Sequence, residues 1–351
     1  MINVLVVDDS AFMRKIFSEK INSEPGLTVI DTARNGEQAL EKIAELKPDI
    51  ITLDIEMPVR NGLETLKVLR RKHPALPVLM VSALDNRDTV MKALEMGAFD
   101  FIPKPSGSIS LDIDDIEKEL LAKLKTGASS CQPAQNTDKS HITLNERAEL
   151  NGEKKKTLSR KGRFPIIAMG ASSGGPRAVK QILSSLPREL PAALAIVQHM
   201  PAGFTTSLAR RLNQESALEV KEAEPGDRLK PGSVLLAPGD YHMVFSENRV
   251  ELNQRPRRWG VRPCADYMMS SLAALYDKRV IGVILTGMGS DGGEGMKAIK
   301  EHGGYGIVED ESTALVYGMP RTVIETGAYD EILPREDIPA RLLKVIERRE
   351  N

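Results

Sequence analysis

Short apolar segments alternate with amphipathic segments along most of the chain, and this alternation predicts parallel β-sheets covered by helices. Five N-terminal apolar runs have the length of buried strands: Val4–Val7, Thr28–Ile30, Ile50–Leu53, Val78–Val81 and Phe99–Ile102. A first helix is expected after Ser10, which can cap it, and further helices are expected at Gly36–Glu45, Gly62–Arg71, Asn86–Met96 and Leu111–Leu124. We therefore predict a doubly wound α/β domain over residues 1–124.

The apolar periodicity disappears between residues 125 and 162, where Ser, Gln, Asn, Lys and Glu dominate. Such a segment buries too little apolar surface to offset the entropy of ordering, so we predict a flexible linker. Its end is basic, with Lys154–Lys156, Arg160 and Lys161 followed by Arg163. A cluster of this kind is either simply solvated or a docking element for an acidic surface.

A second alternation of strands and helices begins at Phe164 and predicts another doubly wound α/β domain over residues 163–351. The predicted strands are Pro165–Met169, Ala193–Val197, Ser233–Ala237, Val280–Leu285 and Tyr305–Val308. The predicted helices are Pro176–Leu186, Phe204–Gln214, Ala265–Asp277 and Glu294–His302, the last followed by Gly303 as a C-terminal cap. Residues Met243–Leu252 are typical of a β-hairpin that turns at Glu247–Asn248.

Composition narrows the class of protein. A chain of 351 residues is longer than one hydrophobic core usually supports, which agrees with two domains. The net charge of -1 favours neither nucleic acid nor a membrane surface as partner. The two cysteines, Cys131 and Cys264, are far apart and predict neither a disulfide framework nor a thiolate metal cluster. Because we find no signal peptide and no membrane-spanning segment, we expect a cytoplasmic protein without membrane insertion.

Polar residues follow four of the predicted N-terminal strands. Asp8 and Asp9 come after the first run, Asp54 after the third, Ser82 after the fourth and Lys104 after the fifth. The carboxyl ends of parallel strands meet at one edge, where three crowded carboxylates favour a hard divalent cation such as Mg²⁺. Asp54 is then placed to attack phosphorus. The alternative is that these aspartates cap a helix and begin a turn.

The segments V-V-D-D-S, T-L-D-I-E-M-P, V-S-A and F-I-P-K-P resemble the receiver domains of two-component response regulators, which have a flavodoxin-like fold. The resemblance implies that Asp54 accepts a phosphoryl group from a histidine kinase. It also implies that Asp9, Asp54 and the backbone carbonyl of Glu56 bind Mg²⁺, with Asp8 assisting through water. Phe101 would be an aromatic switch whose burial changes with Ser82, and the Lys104–Pro105 bond resembles the cis peptide of that family.

The sequence G-A-S-S-G-G at Gly170–Gly175 lies between a predicted strand and a predicted helix. Glycines on both sides of Ser172 permit a sharp corner that exposes one hydroxyl above a helix N-terminus, which is the setting of a serine nucleophile. Two alternatives remain at this point. The small residues could serve only to pack the strand against the helix, or they could hold a nucleotide phosphate.

A serine nucleophile needs a base and a carboxylate that orients the base. His199 directly follows a buried strand on the same sheet edge as Ser172, whereas His242 and His302 are less direct candidates. Asp291 lies in the glycine-rich loop after Val280–Leu285, and Asp240 and Asp266 are its weaker rivals. That loop could also donate a backbone N–H to an oxyanion, or it could be a tight connection or a phosphate cradle.

The segments G-A-S-S-G-G, V-Q-H-M-P and L-T-G-M-G-S-D-G resemble the catalytic domain of chemotaxis-type protein-glutamate methylesterases. The resemblance implies Ser172 as nucleophile, His199 as general base and acid, Asp291 as its orienting partner and the Met288 N–H as oxyanion donor. It further implies demethylation, and deamidation of glutamines, on chemoreceptors (methyl-accepting chemotaxis proteins). No metal or other cofactor is expected at the esterase site.

The domain order predicts that the receiver covers the Ser172 site until Asp54 is phosphorylated. Two other classes of protein remain possible from the residues alone. One is a response regulator whose output domain binds a nucleotide through the two glycine-rich loops. The other is a transcription factor, which the lack of a basic helix-turn-helix pattern disfavours.

Overall fold

The computed structural model describes residues 1–83, 86–104, 110–130 and 164–350. The predicted linker falls mostly outside this range, as do Pro105 and Cys131. Its first six residues belong to a helix that continues to Ser130, so the helical segment is longer than the sequence pattern indicates. Across the parts of the chain that are described, no helix is both long and apolar enough to cross a membrane.

The N-terminal domain is a five-stranded parallel sheet with strand order β2-β1-β3-β4-β5. Its strands are β1 (Ile2–Val7), β2 (Leu27–Ala33), β3 (Ile50–Asp54), β4 (Val78–Ser82) and β5 (Asp100–Pro103). Its helices are α1 (Ala11–Ser23), α2 (Gly36–Leu46), α3 (Gly62–Lys72), α4 (Arg87–Glu95) and α5 (Ser110–Ser130). Ser10 caps α1 as predicted, with its hydroxyl accepting from the Met13 N–H.

The C-terminal domain contains a seven-stranded sheet with order β14-β13-β12-β6-β7-β9-β8, and every adjacent pair in it is parallel. The strands of this sheet are β6 (Ile166–Ala171), β7 (Ala193–Gln198), β8 (Glu219–Glu222), β9 (Ser233–Leu236), β12 (Val280–Ile284), β13 (Tyr305–Glu309) and β14 (Glu331–Leu333). The predicted hairpin is present as β10 (His242–Ser246) and β11 (Arg249–Asn253), with Glu247 and Asn248 at positive φ in its turn.

The helices of this domain cover both faces of the sheet. They are α6 (Gly175–Ser184), α7 (Phe204–Glu215), α8 (Ala265–Tyr276), α9 (Gly293–Glu301), α10 (Gly318–Thr326) and α11 (Ile338–Glu350), with a short 3-10 turn at Asp277–Arg279. The two predicted α/β folds are thereby confirmed.

Four elements of the C-terminal domain are not predicted by the pattern of apolar residues. β8 and β14 are sheet-edge strands of four and three residues, too short to show a period. α10 carries Gly318 and Pro320 in its first turn, and α11 lies at the very end of the chain. The two strands extend the sheet at its edges, and none of the four elements contributes a predicted site residue.

The two domains share apolar packing. One buried cluster includes Leu94 and Phe101 of the N-terminal domain together with Phe204 and Leu208 of the C-terminal domain. Helix α4 packs against α6 and α7. The side of the first domain that holds β5 therefore lies against the edge of the second domain where Ser172 is found.

Candidate active site

Strand order predicts where the C-terminal domain binds its ligand. The chain runs from β6 outward through β7 in one direction and from β12 outward through β13 in the other, so β6 and β12 flank the point where the winding reverses. Ligands of open α/β sheets bind at the carboxyl ends of the strands beside such a switch point. Ser172 follows β6, and the loop with Asp291 follows β12.

The Ser172 corner is held by backbone hydrogen bonds. The Ser172 N–H donates to the carbonyl of Thr286 at 3.0 Å, and the Gly175 N–H donates to the carbonyl of Ser172 at 2.8 Å. Gly174 has a φ of +78°, which favours glycine. Gly287 is needed for a different reason, since a Cβ there would lie 2.8 Å from the Ser172 Cβ. The half-buried Ser172 is thus fixed against the loop that follows β12.

His199 lies beside this corner. Its N–H donates to the carbonyl of Ala171 at 3.1 Å, which ties the end of β7 to the end of β6. The ring Nε2 is 2.8 Å from Asp291 Oδ2, and because an ionised carboxylate only accepts, Nε2 carries the proton in this pair. Nδ1 is buried and has no hydrogen-bond partner among the described residues. A neutral imidazole in this tautomer presents Nδ1 as the base.

Asp291 is 1% exposed and accepts several hydrogen bonds. Its partners besides His199 are the Ala265 N–H at 2.6 Å, the Asp266 N–H at 2.9 Å, the Gly292 N–H at 2.9 Å and the Cys264 thiol at 3.0 Å. Burial alone would raise the pKa of Asp291, but the hydrogen bond and charge of His199 with the other donors lower it to about 2. The carboxylate is therefore ionised at neutral pH, as a partner of an imidazolium must be.

The rival histidines are bound elsewhere. His242 is fully buried, with Nε2 3.3 Å from the carbonyl of Pro256 and its ring edge-on to Tyr267. Burial lowers the pKa of His242, which favours a neutral structural side chain. His302 caps its own helix through Nδ1, 2.9 Å from the Ala298 carbonyl.

The rival carboxylates differ from each other. Asp240 is bound by Arg262, whose Nη2 donates to Asp240 Oδ1 at 2.6 Å, and it is tied to the hairpin. Asp266 is 2% exposed and lies beside Asp291, so the structure places it closer to the site than the sequence suggests.

The loop that carries Met288 rests on a network that sequence reasoning missed. The Thr286 N–H donates to Glu309 Oε2 at 2.7 Å, and the Thr286 hydroxyl donates to the Ser173 carbonyl at 2.9 Å. Glu309 is fully buried and pairs with Arg335 at 2.8 Å. Met288 is half-buried two residues beyond Thr286. The order of the strands, which no motif reveals, is what brings Glu309 beneath this loop.

In the N-terminal domain the structure brings together the predicted charged residues. Lys104 Nζ is 2.9 Å from Asp8 Oδ2 and 2.8 Å from Asp54 Oδ2. The carboxylates of Asp8, Asp9 and Asp54 each have an oxygen within 4.8 Å of the others. Burial raises the pKa of Asp54 to about 6, although Lys104 opposes the shift. Such an oxygen-rich cluster fits a hard cation such as Mg²⁺.

Ser82, Phe101 and Glu56 complete the predicted set. The buried Ser82 hydroxyl donates to the Ala83 carbonyl at 2.9 Å. Phe101 is 3% exposed and its ring centroid is 4.6 Å from that of Phe204 in the other domain. Glu56 lies two residues after Asp54 with its side chain exposed.

Comparison with known proteins decides the family. Residues 167–342 match the sequence pattern of the CheB methylesterases, and residues 4–113 match that of the response regulator receiver domain. The protein-glutamate methylesterase/protein-glutamine glutaminase of Pyrococcus horikoshii is 44% identical over 99% of this chain and 94% of its own length. The protein of that name from Geobacillus kaustophilus is 45% identical over 98% of this chain and 99% of its own.

This chain belongs to the CheB methylesterase family. The crystal structure of the Thermotoga maritima CheB methylesterase catalytic domain is 43% identical, with a TM-score of 0.51, and the match covers 53% of this chain and all of that one. Both resemblances drawn from the motifs, and the predicted class of enzyme, are thereby confirmed. Membership in the CheB family favours the esterase over the nucleotide-binding and transcription-factor alternatives.

The receiver of this CheB family member touches the loops around Ser172. Ser173 Oγ donates to Asp100 Oδ2 at 2.6 Å in a buried hydrogen bond. The Thr126 hydroxyl of α5 donates to Met288 Sδ at 3.1 Å. Contacts therefore reach the residue after the candidate nucleophile and the candidate oxyanion residue itself.

Ion pairs surround these central contacts. Glu95 of α4 lies 3.1 Å from Arg211 and 3.6 Å from Lys180, and Asp88 pairs with Arg210. None of these interdomain partners could be recognised from motifs, because the motifs report each domain separately.

Proposed function

We propose that this chain hydrolyses γ-methyl esters of glutamate residues on chemoreceptors, with Ser172, His199 and Asp291 as its catalytic residues. The observation that carries the proposal is the pair between His199 Nε2 and Asp291, which leaves Nδ1 buried as a base beside the Ser172 corner. This is the constellation that activates a serine hydroxyl.

The reaction follows from these roles. His199 Nδ1 takes the hydroxyl proton while Ser172 Oγ attacks the ester carbonyl, and Asp291 stabilises the imidazolium that forms. The Met288 N–H is the proposed donor to the oxyanion. His199 then protonates the methoxide, methanol leaves, and a seryl ester of the glutamate side chain remains. Water, deprotonated by His199, cleaves this ester, which releases the glutamate carboxylate and returns the proton to Ser172.

The same residues can deamidate glutamine, since only the leaving group differs. His199 would then protonate the departing amine, and ammonia would be the first product. We propose this second activity because the full-length relatives carry it in their names.

The activity test is release of methanol from receptor membranes carrying radiolabelled methyl esters. We expect Ser172→Ala to lose activity almost completely, because the seryl ester cannot form. Ser184→Ala changes an exposed serine at the far end of α6 and is the matched control, which should retain wild-type activity. Full activity of Ser172→Ala would refute the assignment.

Regulation by the receiver is the second part of the proposal. The receiver contacts Ser173 and Met288, and a chain that occupies this edge blocks a receptor segment from reaching Ser172. Phosphorylation at Asp54 by a histidine kinase would shift the population toward an arrangement in which these contacts are broken. Mg²⁺, held by Asp9, Asp54 and the Glu56 carbonyl, would neutralise the phosphoryl oxygens during transfer, and Lys104 would pair with the transferred group.

Two measurements test regulation separately from activity. A fragment of residues 163–351 should hydrolyse the ester faster than the unphosphorylated full chain. The crystal structure of the isolated Thermotoga maritima catalytic domain supports the use of such a fragment. In the full chain, a small phosphodonor with Mg²⁺ should raise the rate of wild type but not of Asp54→Ala. A folded fragment with equal or lower activity would contradict the proposed inhibition.

A further inference from the structure

A second buried carboxylate lies next to Asp291 and is not part of the proposed reaction. Asp266 is in the first turn of α8 and is 2% exposed. Its Oδ1 accepts from the Gly292 N–H at 2.9 Å and from the Gly295 N–H at 2.7 Å. Both donors belong to the N-terminus of α9, so the side chain of Asp266 caps a helix other than its own.

Asp291 does the reverse. It lies just before α9 and accepts from the adjacent Gly292 N–H at 2.9 Å, but its other backbone donors are the Ala265 and Asp266 N–H groups, which form the N-terminus of α8. Asp266 therefore caps α9, which follows Asp291, while Asp291 caps α8, which contains Asp266, and we call this arrangement the crossed cap. Glycine at 295 lets the helices approach, because a Cβ there would lie 2.7 Å from the Met269 Cβ. The position of Asp291 thus depends on where Asp266 holds the start of α9.

The second carboxylate oxygen of Asp266, Oδ2, also has hydrogen-bonding and charged partners. Oδ2 accepts from Trp259 Nε1 at 2.8 Å, and Arg258 Nε lies 3.3 Å away. Arg258 supplies a positive charge next to two neighbouring carboxylates that would otherwise repel each other. The carboxylate oxygens of the Cys264, Asp266 and Asp291 cluster thus already have N–H donors and a guanidinium as partners.

We propose that Asp266 is a positioning residue that holds Asp291 against His199 through the crossed cap. Its hydrogen bonds and ion pair among the described residues include neither His199 nor Ser172, and it acts by fixing the Gly292–Gly295 segment. Small displacements of a catalytic group are costly, since a misplacement of about 1 Å can reduce a rate by about 100-fold. The inference rests on the proposed function only in taking Asp291 as the partner of a catalytic histidine.

The test uses the full chain and a probe that does not depend on the receptor substrate. A fluorophosphonate reacts with an activated serine, so its second-order rate of labelling Ser172 reports on the catalytic residues directly. The variants are Asp266→Asn and Asp266→Ala. The control is Asp330→Asn, which removes a carboxylate that accepts from the Gly306 N–H and pairs with Lys300 at the opposite end of the sheet.

We expect Asp266→Asn to lower the labelling rate about 10- to 100-fold and to move the acid limb of its pH profile to lower pH. The profile moves because the imidazolium loses support when Asp291 is displaced. Asp330→Asn should lower the thermal midpoint without changing rate or profile. A purely stabilising Asp266 would behave as Asp330 does, so labelling within threefold of wild type with an unmoved profile would overturn the inference.

Proton NMR tests the His199–Asp291 pair independently of whether the protein has the proposed activity. An imidazole N–H bonded to a carboxylate resonates far downfield, and the signal of His199 is assigned by its loss in His199→Gln. We expect this downfield resonance in the wild-type spectrum, and we expect it to disappear or change its chemical shift in Asp266→Asn. A wild type that stays unlabelled even with a phosphodonor and Mg²⁺ present would contradict Ser172 as nucleophile, while an unchanged resonance in the variant would contradict the crossed cap. If both Asp266 variants misfold, Trp259→Phe removes one donor to Oδ2 and should reduce labelling a few-fold; an unchanged rate would again refute the inference.

Discussion

The buried hydrogen bond between Ser173 and Asp100 gives the most direct prediction about regulation. Ser173→Ala removes the donor hydroxyl and keeps the Cβ. Asp100 retains its other partners, because Oδ1 accepts from the Phe101 N–H at 2.8 Å and Oδ2 lies 3.2 Å from Lys123 Nζ. Burial opposes the charge of Lys123, but Asp100 and Glu119 raise the pKa of its ammonium above the usual value, so Asp100 keeps a charged partner.

The expected effect of Ser173→Ala on the equilibrium between the two domain arrangements follows from these contacts. A hydrogen bond to a charged group contributes about 1.5–3 kcal/mol, and the remaining partners of Asp100 favour the lower end. About 1.4 kcal/mol corresponds to a factor of ten in an equilibrium. We take the arrangement in which the receiver covers Ser172 to dominate before phosphorylation. Destabilising that arrangement by about 1.5 kcal/mol then raises the fraction of molecules with Ser172 uncovered about tenfold. Basal methanol release should rise by the same factor.

The assay compares the unphosphorylated chain with the chain activated by a phosphodonor and Mg²⁺. Ser173→Ala should raise the first rate and leave the second within twofold, since the covering contact is absent from the active arrangement. Asp100→Asn, on the receiver side, should act in the same direction, and the double variant should gain less than the product of the two effects. Equal changes in the basal and activated rates would show that Ser173 affects the catalytic step itself, and would refute a role of its hydroxyl in holding the receiver over the site.

Three further predictions concern other contacts. Asp54→Asn should raise the free energy of unfolding of the metal-free chain by up to about 3 kcal/mol at pH 8, because the buried carboxylate has its pKa raised from 3.8 to about 6. This gain should be absent below pH 4, appear as pH rises to 6 and shrink with Mg²⁺, as measured by urea unfolding; a gain at pH 4 would contradict it. Glu95→Lys should raise basal activity about fivefold at low salt and less in 0.5 M salt, because weak exposed ion pairs are replaced by repulsion; an effect independent of salt would count against it. Phe101→Leu should raise basal activity about two- to tenfold by removing an aromatic pair, and unchanged basal release would show that the ring contact does not hold the domains together.

Much of the fold was predictable because its strands are buried on both faces. β3, β4, β6, β7 and β12 are buried along their whole length and appear in the sequence as uninterrupted apolar runs. The candidate site residues follow such runs directly, so parallel topology alone places Ser172 and His199 at one edge. The switch point between β6 and β12 required the structure, since strand order leaves no periodic signal.

The supporting residues were harder to predict for a physical reason. Asp266 lies in the first turn of a helix, where a carboxylate ordinarily interacts with the helix it belongs to. Its actual partners are on α9, and the close approach of α8 and α9 depends on tertiary packing around Gly295. Asp100 and Ser173 show no pattern either, because each is one polar residue near the end of an apolar strand and its partner lies in the other domain.

The partners of Asp100 also bear on how easily the proposed regulation can reverse. Breaking a buried ion pair by removing one member costs about 3–5 kcal/mol, because an uncompensated charge remains. Separation of the domains removes only the Ser173 hydroxyl from Asp100, while Lys123 stays on α5 of the same domain and continues to neutralise it. The receiver is therefore left without an unpaired buried charge when it moves away. Loss of the Asp100 contact therefore adds only about the cost of one hydrogen bond to domain separation, alongside the apolar, aromatic and ion-pair contacts that must also break.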